Sequence, residues 1–161
     1  MVIFAGCIGG LYFVAAQIKT YVLPVGQVQL TVPYSKYIVG ETVSFTITNN
    51  YNSALYVLNN CPDEPLAVYR QENNTWVRQH DGASVSECPV EDRQVSVVAN
   101  GVVNGNFSPW HNLFSRPGKY RVVAFVEHYN ALPCQDFEVI AKPVLVSPQQ
   151  SLTLLFLLSP S

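Results

Sequence analysis

From Gln27 to Val139 the chain alternates apolar and polar residues in short runs broken by turn-forming clusters. The clearest run is "ETVSFTIT". There Val43, Phe45 and Ile47 fall on one side of a strand, and Thr42, Ser44, Thr46 and Thr48 on the other. "QVQLTV", Gln27 to Val32, repeats the pattern, and "ALYVL" gives a shorter strand after the turn "NNYNS". "LAVYRQ" and "TWVRQ", joined across Glu72-Asn73-Asn74, predict a hairpin. "QVSVVANGVV" carries an Asn-Gly turn signal, "RPGKYRVVAFVEH" a strand launched by Pro117-Gly118, and "QDFEVIAKP" closes the series. Roughly eight short strands, with turns every eight to twelve residues and no sustained helical period, predict an all-β antiparallel sandwich.

The pattern changes at both ends. From Val2 to Ile18 there is no charged side chain, and the first is Lys19. A helix running on to Leu23 would be about 33 Å long, enough to cross a bilayer. A cleaved signal peptide is the second reading, although it would want a positive leading segment. A lipoprotein signal ending at Cys7 is the third, hinted at by Phe4-Ala5-Gly6-Cys7, with only six residues before the cysteine. A single uncleaved transmembrane helix fits best, and Gly6 and Gly10 then give it a smooth face for packing against another helix. The tail "SLTLLFLLSPS" is apolar but shorter than the roughly 20 residues that a span requires. The expected organisation is an anchor over residues 1–23, a linker over 24–26, a sandwich over 27–145 and an apolar tail over 146–161.

Charge narrows the partners. Only 12% of residues are charged, against about a quarter in ordinary soluble proteins. Nine Lys and Arg against eleven Asp and Glu leave a net charge of −2, with no basic patch, which argues against nucleic acid. The lipid bilayer and other membrane protein subunits remain, with the bulk of the chain outside the cytoplasm, periplasmic or extracellular. Of four cysteines, Cys61, Cys88 and Cys134 follow the anchor, and three single pairings are open to them.

The order "SFTITNNYNSALYVLNNC", "LAVYRQENNTWVRQ", "EC" and "PGKYRVVAFV" resembles the immunoglobulin-like domains of bacterial envelope proteins. The resemblance covers about Gln27 to Val139 and implies an immunoglobulin-like fold, while saying almost nothing of activity. It implies a Cys61–Cys88 disulfide, which leaves Cys134 over. A loop of that length, 88 − 61 = 27 positions, would gain roughly 3–4 kcal/mol on closure in the chain-entropy account. Trp76 is expected as the large side chain between the sheets, and Tyr120 as a corner tyrosine capping backbone groups.

Chemistry is sparse. His80, His111 and His128 match no metal-ligand spacing, so no metal or other cofactor is expected. Ser108 and His111 lack an acidic third member, and no GxSxG or phosphate loop occurs. The pairs Asp63/Glu64 and Glu91/Asp92 read as solvated loop charges. Trp110, flanked by Pro109 and His111, is the candidate exposed binding aromatic, although a Trp beside proline is more often a loop anchor packed on the core. The sequence thus points to a non-catalytic, membrane-anchored accessory subunit bracing or capping a larger membrane complex. The alternative is a freestanding envelope module holding a glycan or peptide through its loops.

Overall fold

The structure, a computed structural model, describes residues 21–59, 63–82 and 94–143. Among these residues the chain is mostly β. The strands are β1 (Val28–Thr31), β2 (Lys36–Ile38), β3 (Ser44–Asn49), β4 (Leu55–Leu58), β5 (Ala67–Glu72), β6 (Thr75–Gln79), β7 (Gln94–Val97), β8 (Val102–Asn106), β9 (Gly118–Val123) and β10 (Cys134–Ile140). A 3-10 segment, Ser108–Phe114, connects β8 to β9. Three sheets form, in the orders β1-β3-β8, β2-β10-β9-β5-β6 and β4-β7. Every pairing is antiparallel except β2 with β10.

The registers show how these pieces join. β3 pairs with β8 up to Thr48↔Val102, and the ladder resumes with β4 and β7 at Leu55↔Val97. One long two-stranded ribbon therefore turns a corner at residues 49–54 and 98–101, with backbone bonds Asn49 N–H to Gly101 O and Asn100 N–H to Tyr51 O at 2.9 Å each. Asn49 sits inside that corner, fully buried. Its amide nitrogen donates to the carbonyls of Ser53 (2.8 Å), Val97 (3.0 Å) and Val98 (3.1 Å), and its oxygen accepts from the Tyr51 N–H at 2.9 Å. Short polar side chains of this kind replace the ladder bonds that a bend interrupts. Past the corner, β4 bonds to the residues after β9, through Leu58 N–H to Phe125 O and Glu127 N–H to Tyr56 O.

β4 and β5 therefore lie end to end along β9 and its continuation, and β7 and β6 lie end to end outside them. In the two connections, β4 to β5 and β6 to β7, the described residues 59, 63–66 and 80–82 stand outside the ladder. Cys61 and Cys88, the predicted disulfide, belong to these two connections and lie outside the described residues. Gly6, Gly10 and most of the predicted anchor also lie outside them. Among the described residues no helix is long and apolar enough to cross a membrane.

One core receives the apolar faces of all the sheets. Val43, just before β3, and Phe45 and Ile47 of β3 enter it, as do Tyr120 and Val122 of β9 and Phe137 and Val139 of β10. At its centre a chain of rings runs from Phe45 through Phe107 to Phe114, and on to Tyr120 and Phe137, with neighbouring centroids 5.4–5.6 Å apart. The predicted large plug between the sheets is thus this aromatic chain, and not Trp76. The Tyr120 hydroxyl donates to the Arg116 carbonyl at 2.7 Å, four residues back, and burial pushes its phenol pKa up.

The 3-10 segment explains a second correction. Trp110, expected in an exposed loop, is only 7% exposed. Pro109 starts the turn, and Phe107, Trp110, Leu113 and Phe114 then recur at intervals that place them all on the core side. A third correction concerns the anchor's end. Tyr21 is not helical; its N–H donates to His128 O at 2.6 Å, its carbonyl accepts from Asn130 N–H at 3.0 Å, and Leu23 is buried. Residues 21–23 belong to the folded domain.

Close packing also fixes one glycine. A Cβ added at Gly105 would lie 2.4 Å from Phe45 Cζ and 2.9 Å from Cε2, far inside contact distance. Phe45 sits directly opposite Gly105 in the register and is buried, so its ring has nowhere to retreat. Gly105→Ala is expected to destabilise the domain by about 1–3 kcal/mol, the cost of overpacking, read as a lower urea midpoint at unchanged slope.

Candidate interaction surface

The outward face of the five-stranded sheet is built from directly opposed residues, which share a face in an antiparallel pair. Arg78 on β6 lies opposite Tyr69 on β5, Tyr69 opposite Arg121 on β9, and Arg121 opposite Asp136 on β10. In the neighbouring row Trp76 lies opposite Gln71, and Lys119, Glu138 and Lys36 follow one another across β9, β10 and β2.

Arg121 organises this face. Its guanidinium reaches the Asp136 carboxylate in a two-pronged contact, at 2.6 and 2.8 Å. Its other side lies over the Trp76 ring, 4.3 Å from the centroid. The Asp136 carboxylate raises the Arg121 pKa, so this cation persists at any ordinary pH. Arg78 lies over Tyr69 in the same way at 5.6 Å. Cation–π contacts of this exposed kind contribute about 0.5–1 kcal/mol each. Flat guanidinium groups between aromatic faces and carboxylates lose little further freedom when a partner arrives.

Trp76 is therefore half-buried by Arg121 on the outside of the sheet, where it had been expected between the sheets. The inward positions of β5 are Val68 and Arg70, and Trp76 pairs with outward Gln71. Period-two alternation gave the correct facing set but not which side is inside. Among the outward charges, Lys36, Arg78, Lys119 and Arg121 face two carboxylates, Asp136 and Glu138. Arg78 also lies 3.7 Å from the Glu64 carboxylate, so 4 − 3 = 1 net positive charge remains on this face, in a chain whose net charge is −2. Lys36 and Glu138 pair at 3.2 Å while both remain exposed, an arrangement that adds little to stability.

Beside this face Glu64 departs from its expected place in solvent. It is only 2% exposed, because Leu66 draws the loop into the core. Its carboxylate accepts the Asp81 N–H at 2.8 Å and lies 3.2 Å from His80 Nδ1 and 3.7 Å from Arg78. Asp81 in turn accepts from the Asn112 N–H and side chain at 2.9 and 2.7 Å. The described parts of the two connections are thus tied together and to the 3-10 segment. A buried carboxylate compensated in this manner is a structural tie. Asp63 is exposed, and Glu91 and Asp92 lie outside the described residues.

The remaining candidates are scattered. Ser108 and His111 are both exposed on the 3-10 segment, Cys134 is a free exposed thiol at the start of β10, and His128 sits in the turn that holds Tyr21. No group of three His, Cys, Asp or Glu side chains that could hold a metal ion occurs among the described residues.

No protein-family model matches the chain, and no curated protein matches it. Solved structures are similar at a distance. A β-glucosidase from Erythrobacter marinus shares 10% identity and a TM-score of 0.41 over 70% of this chain. A β-glucosidase from Listeria innocua shares 17% identity and a TM-score of 0.38 over 73%. This chain spans only 15% and 16% of those two enzymes. The PapD-like domain 7 of human CEP192 shares 12% identity and a TM-score of 0.30, over 79% of this chain and 95% of that domain.

Proposed function

We propose that this chain is a non-catalytic accessory subunit, an immunoglobulin-like β-sandwich held at the outer face of a membrane by its N-terminal segment. Its five-stranded sheet docks on an acidic extramembrane surface of a larger membrane protein complex. The observation that carries this reading is the outward array of Arg121, Trp76, Asp136, Tyr69 and Arg78, ordered before any partner arrives, on a face whose Lys36 and Lys119 leave it net positive. A complementary acidic surface would be steered to it and oriented by it.

The junction at Tyr21 supports the same picture. A module that catches ligands at a distance needs a flexible tether, whereas here the backbone of residue 21 is bonded into the domain. Around that junction Tyr21, Val22, Val25 and Val98 are exposed, beside a row of rings from Tyr21 through Tyr129 to Tyr51. Tyrosines and apolar side chains at one end suit the headgroup level of a bilayer. The proposed disulfide between Cys61 and Cys88 would tie the same two connections that Glu64 already bridges.

The test is extraction in mild detergent followed by a native gel. Wild-type protein is expected to migrate with stoichiometric companions. Arg121→Glu, which turns a cation between Trp76 and Asp136 into a third carboxylate, is expected to release them while its far-ultraviolet dichroism stays unchanged. Migration of the wild-type chain alone would refute the accessory reading.

A further inference from the structure

The outer face of the three-stranded sheet has a different chemistry from that of the five-stranded sheet. Thr31, Thr46 and Asn104 stand side by side across β1, β3 and β8, with Ser44 opposite Asn106 in the adjacent row. With Pro33, Phe45 and Gly105 they line a cleft of about 410 Å³. No charged side chain lines it.

The two amides of this cleft are oriented. Asn104 Oδ1 accepts the Thr46 hydroxyl at 2.8 Å, and Asn106 Oδ1 accepts the Ser108 N–H at 2.9 Å. With both oxygens engaged from within, each amide keeps its NH2 group for an acceptor that enters the cleft. Asn104 and Asn106 are two residues apart on one strand, so their backbones lie about 6.8 Å apart and their side chains leave on the same face. The hydroxyls of Thr31 and Ser44 add groups that both donate and accept.

We propose that this cleft binds a neutral oligosaccharide. An ion would find no countercharge there, and an apolar ligand would leave the two amides unpaired, which is costly. A peptide adding to the edge of β8 would use the backbone and leave the outward side chains unread. Sugar hydroxyls, which donate and accept at regular intervals along a chain, match donors fixed at a regular spacing. Each bond formed replaces one to water, so the affinity is low, with a Kd of about 0.1–1 mM. This inference stands apart from the docking face, which lies on the other sheet.

The experiment uses the full chain, labelled with 15N, in a phosphocholine detergent that carries no sugar. Cellohexaose, chitohexaose and mannohexaose are titrated in turn, with the uncharged peptide Ser-Thr-Val-Thr-Val-Ser as the contrasting probe. At least one hexasaccharide is expected to shift the side-chain NH2 signals of Asn104 and Asn106 and the backbone amides of Thr31 and Thr46. The double variant Asn104→Asp with Asn106→Asp keeps both internal acceptors and removes both donors, so it is expected to bind at least tenfold more weakly. Its remaining amide signals should stay in place; if it fails to fold, the wild-type map decides alone. Silence of the NH2 signals toward all three sugars would overturn the proposal. So would shifts confined to the β8 backbone and produced only by the peptide, or equal sugar binding by a folded variant.

Discussion

Asn49→Ala is expected to destabilise the domain by about 3–5 kcal/mol, because it removes four hydrogen bonds to the backbone and opens a void at a fully buried position. The Ser53, Val97 and Val98 carbonyls lose their donor and the Tyr51 N–H loses its acceptor, and of these bonds the one to Val97 is fully buried. Against a typical domain stability of about 5–15 kcal/mol that is roughly a fifth or more of the total. Equilibrium urea unfolding measures it. Asn49→Asp makes a sharper test, since it keeps the shape and replaces the NH2 donor by a carboxylate facing three carbonyl oxygens. Burial and those oxygens would raise the folded-state pKa of the introduced carboxyl above its unfolded value of about 4. A raised folded pKa means that stability is retained below about pH 4 and is lost as pH climbs through the folded value. The deficit of this variant should therefore be small at pH 3.5 and large at pH 7, measured against wild type at each pH. A deficit independent of pH would show that the corner does not depend on the donor.

Phe114→Ala is expected to cost a similar amount, about 3–5 kcal/mol, by opening a cavity where the ring chain converges. Phe114 is 2% exposed and touches three rings, Phe107, Tyr120 and Phe137, at 5.4, 5.4 and 5.6 Å between centroids. Those contacts come from three different elements, so the surroundings cannot collapse onto the void without moving a strand. Edge-to-face pairs add about 0.5–1.5 kcal/mol each beyond burial, so Phe114→Leu should lose less than alanine but remain clearly destabilised. Urea midpoints of the two variants rank the effects. Equal midpoints for wild type and Phe114→Ala would mean that the two sheets are held together elsewhere.

How far the sequence revealed this architecture depended on the length and sidedness of each segment. The alternation of β3 and the turn signal between β5 and β6 are visible directly, because one face of β3 is buried and Asn73 and Asn74 both adopt positive φ. β2 is only three residues long and β10 pairs with it in parallel, so no local pattern announces it. The 3-10 segment is too short to show a helical period, yet its spacing of Phe107, Trp110, Leu113 and Phe114 held the information. On β6, an edge strand whose two faces are both partly covered, apolar content no longer marks the inside, and Trp76 was misplaced for that reason. Glu64 was unreadable because its compensation comes from Arg78, His80 and Asp81, which only the fold brings near. The cleft residues Thr31, Thr46 and Asn104 carried no motif at all; their meeting is a product of register.

The parallel pairing of β2 with β10 sets the timetable of synthesis. Lys36 and Glu138 meet across 138 − 36 = 102 positions, and no shorter loop can substitute for that closure. The β5–β6 hairpin and the β3–β8 and β4–β7 ribbon can form from nearer neighbours, but β9 keeps an unpaired edge until β10 arrives. Non-local closure is paid for late and slows folding. Until Ile140 has cleared the ribosome or the translocation channel, the half-built sheet offers an open edge to any passing strand. β10 is the last strand among the described residues, and a nascent chain stalled before residue 134 should be held by chaperones while one stalled well beyond 143 is released.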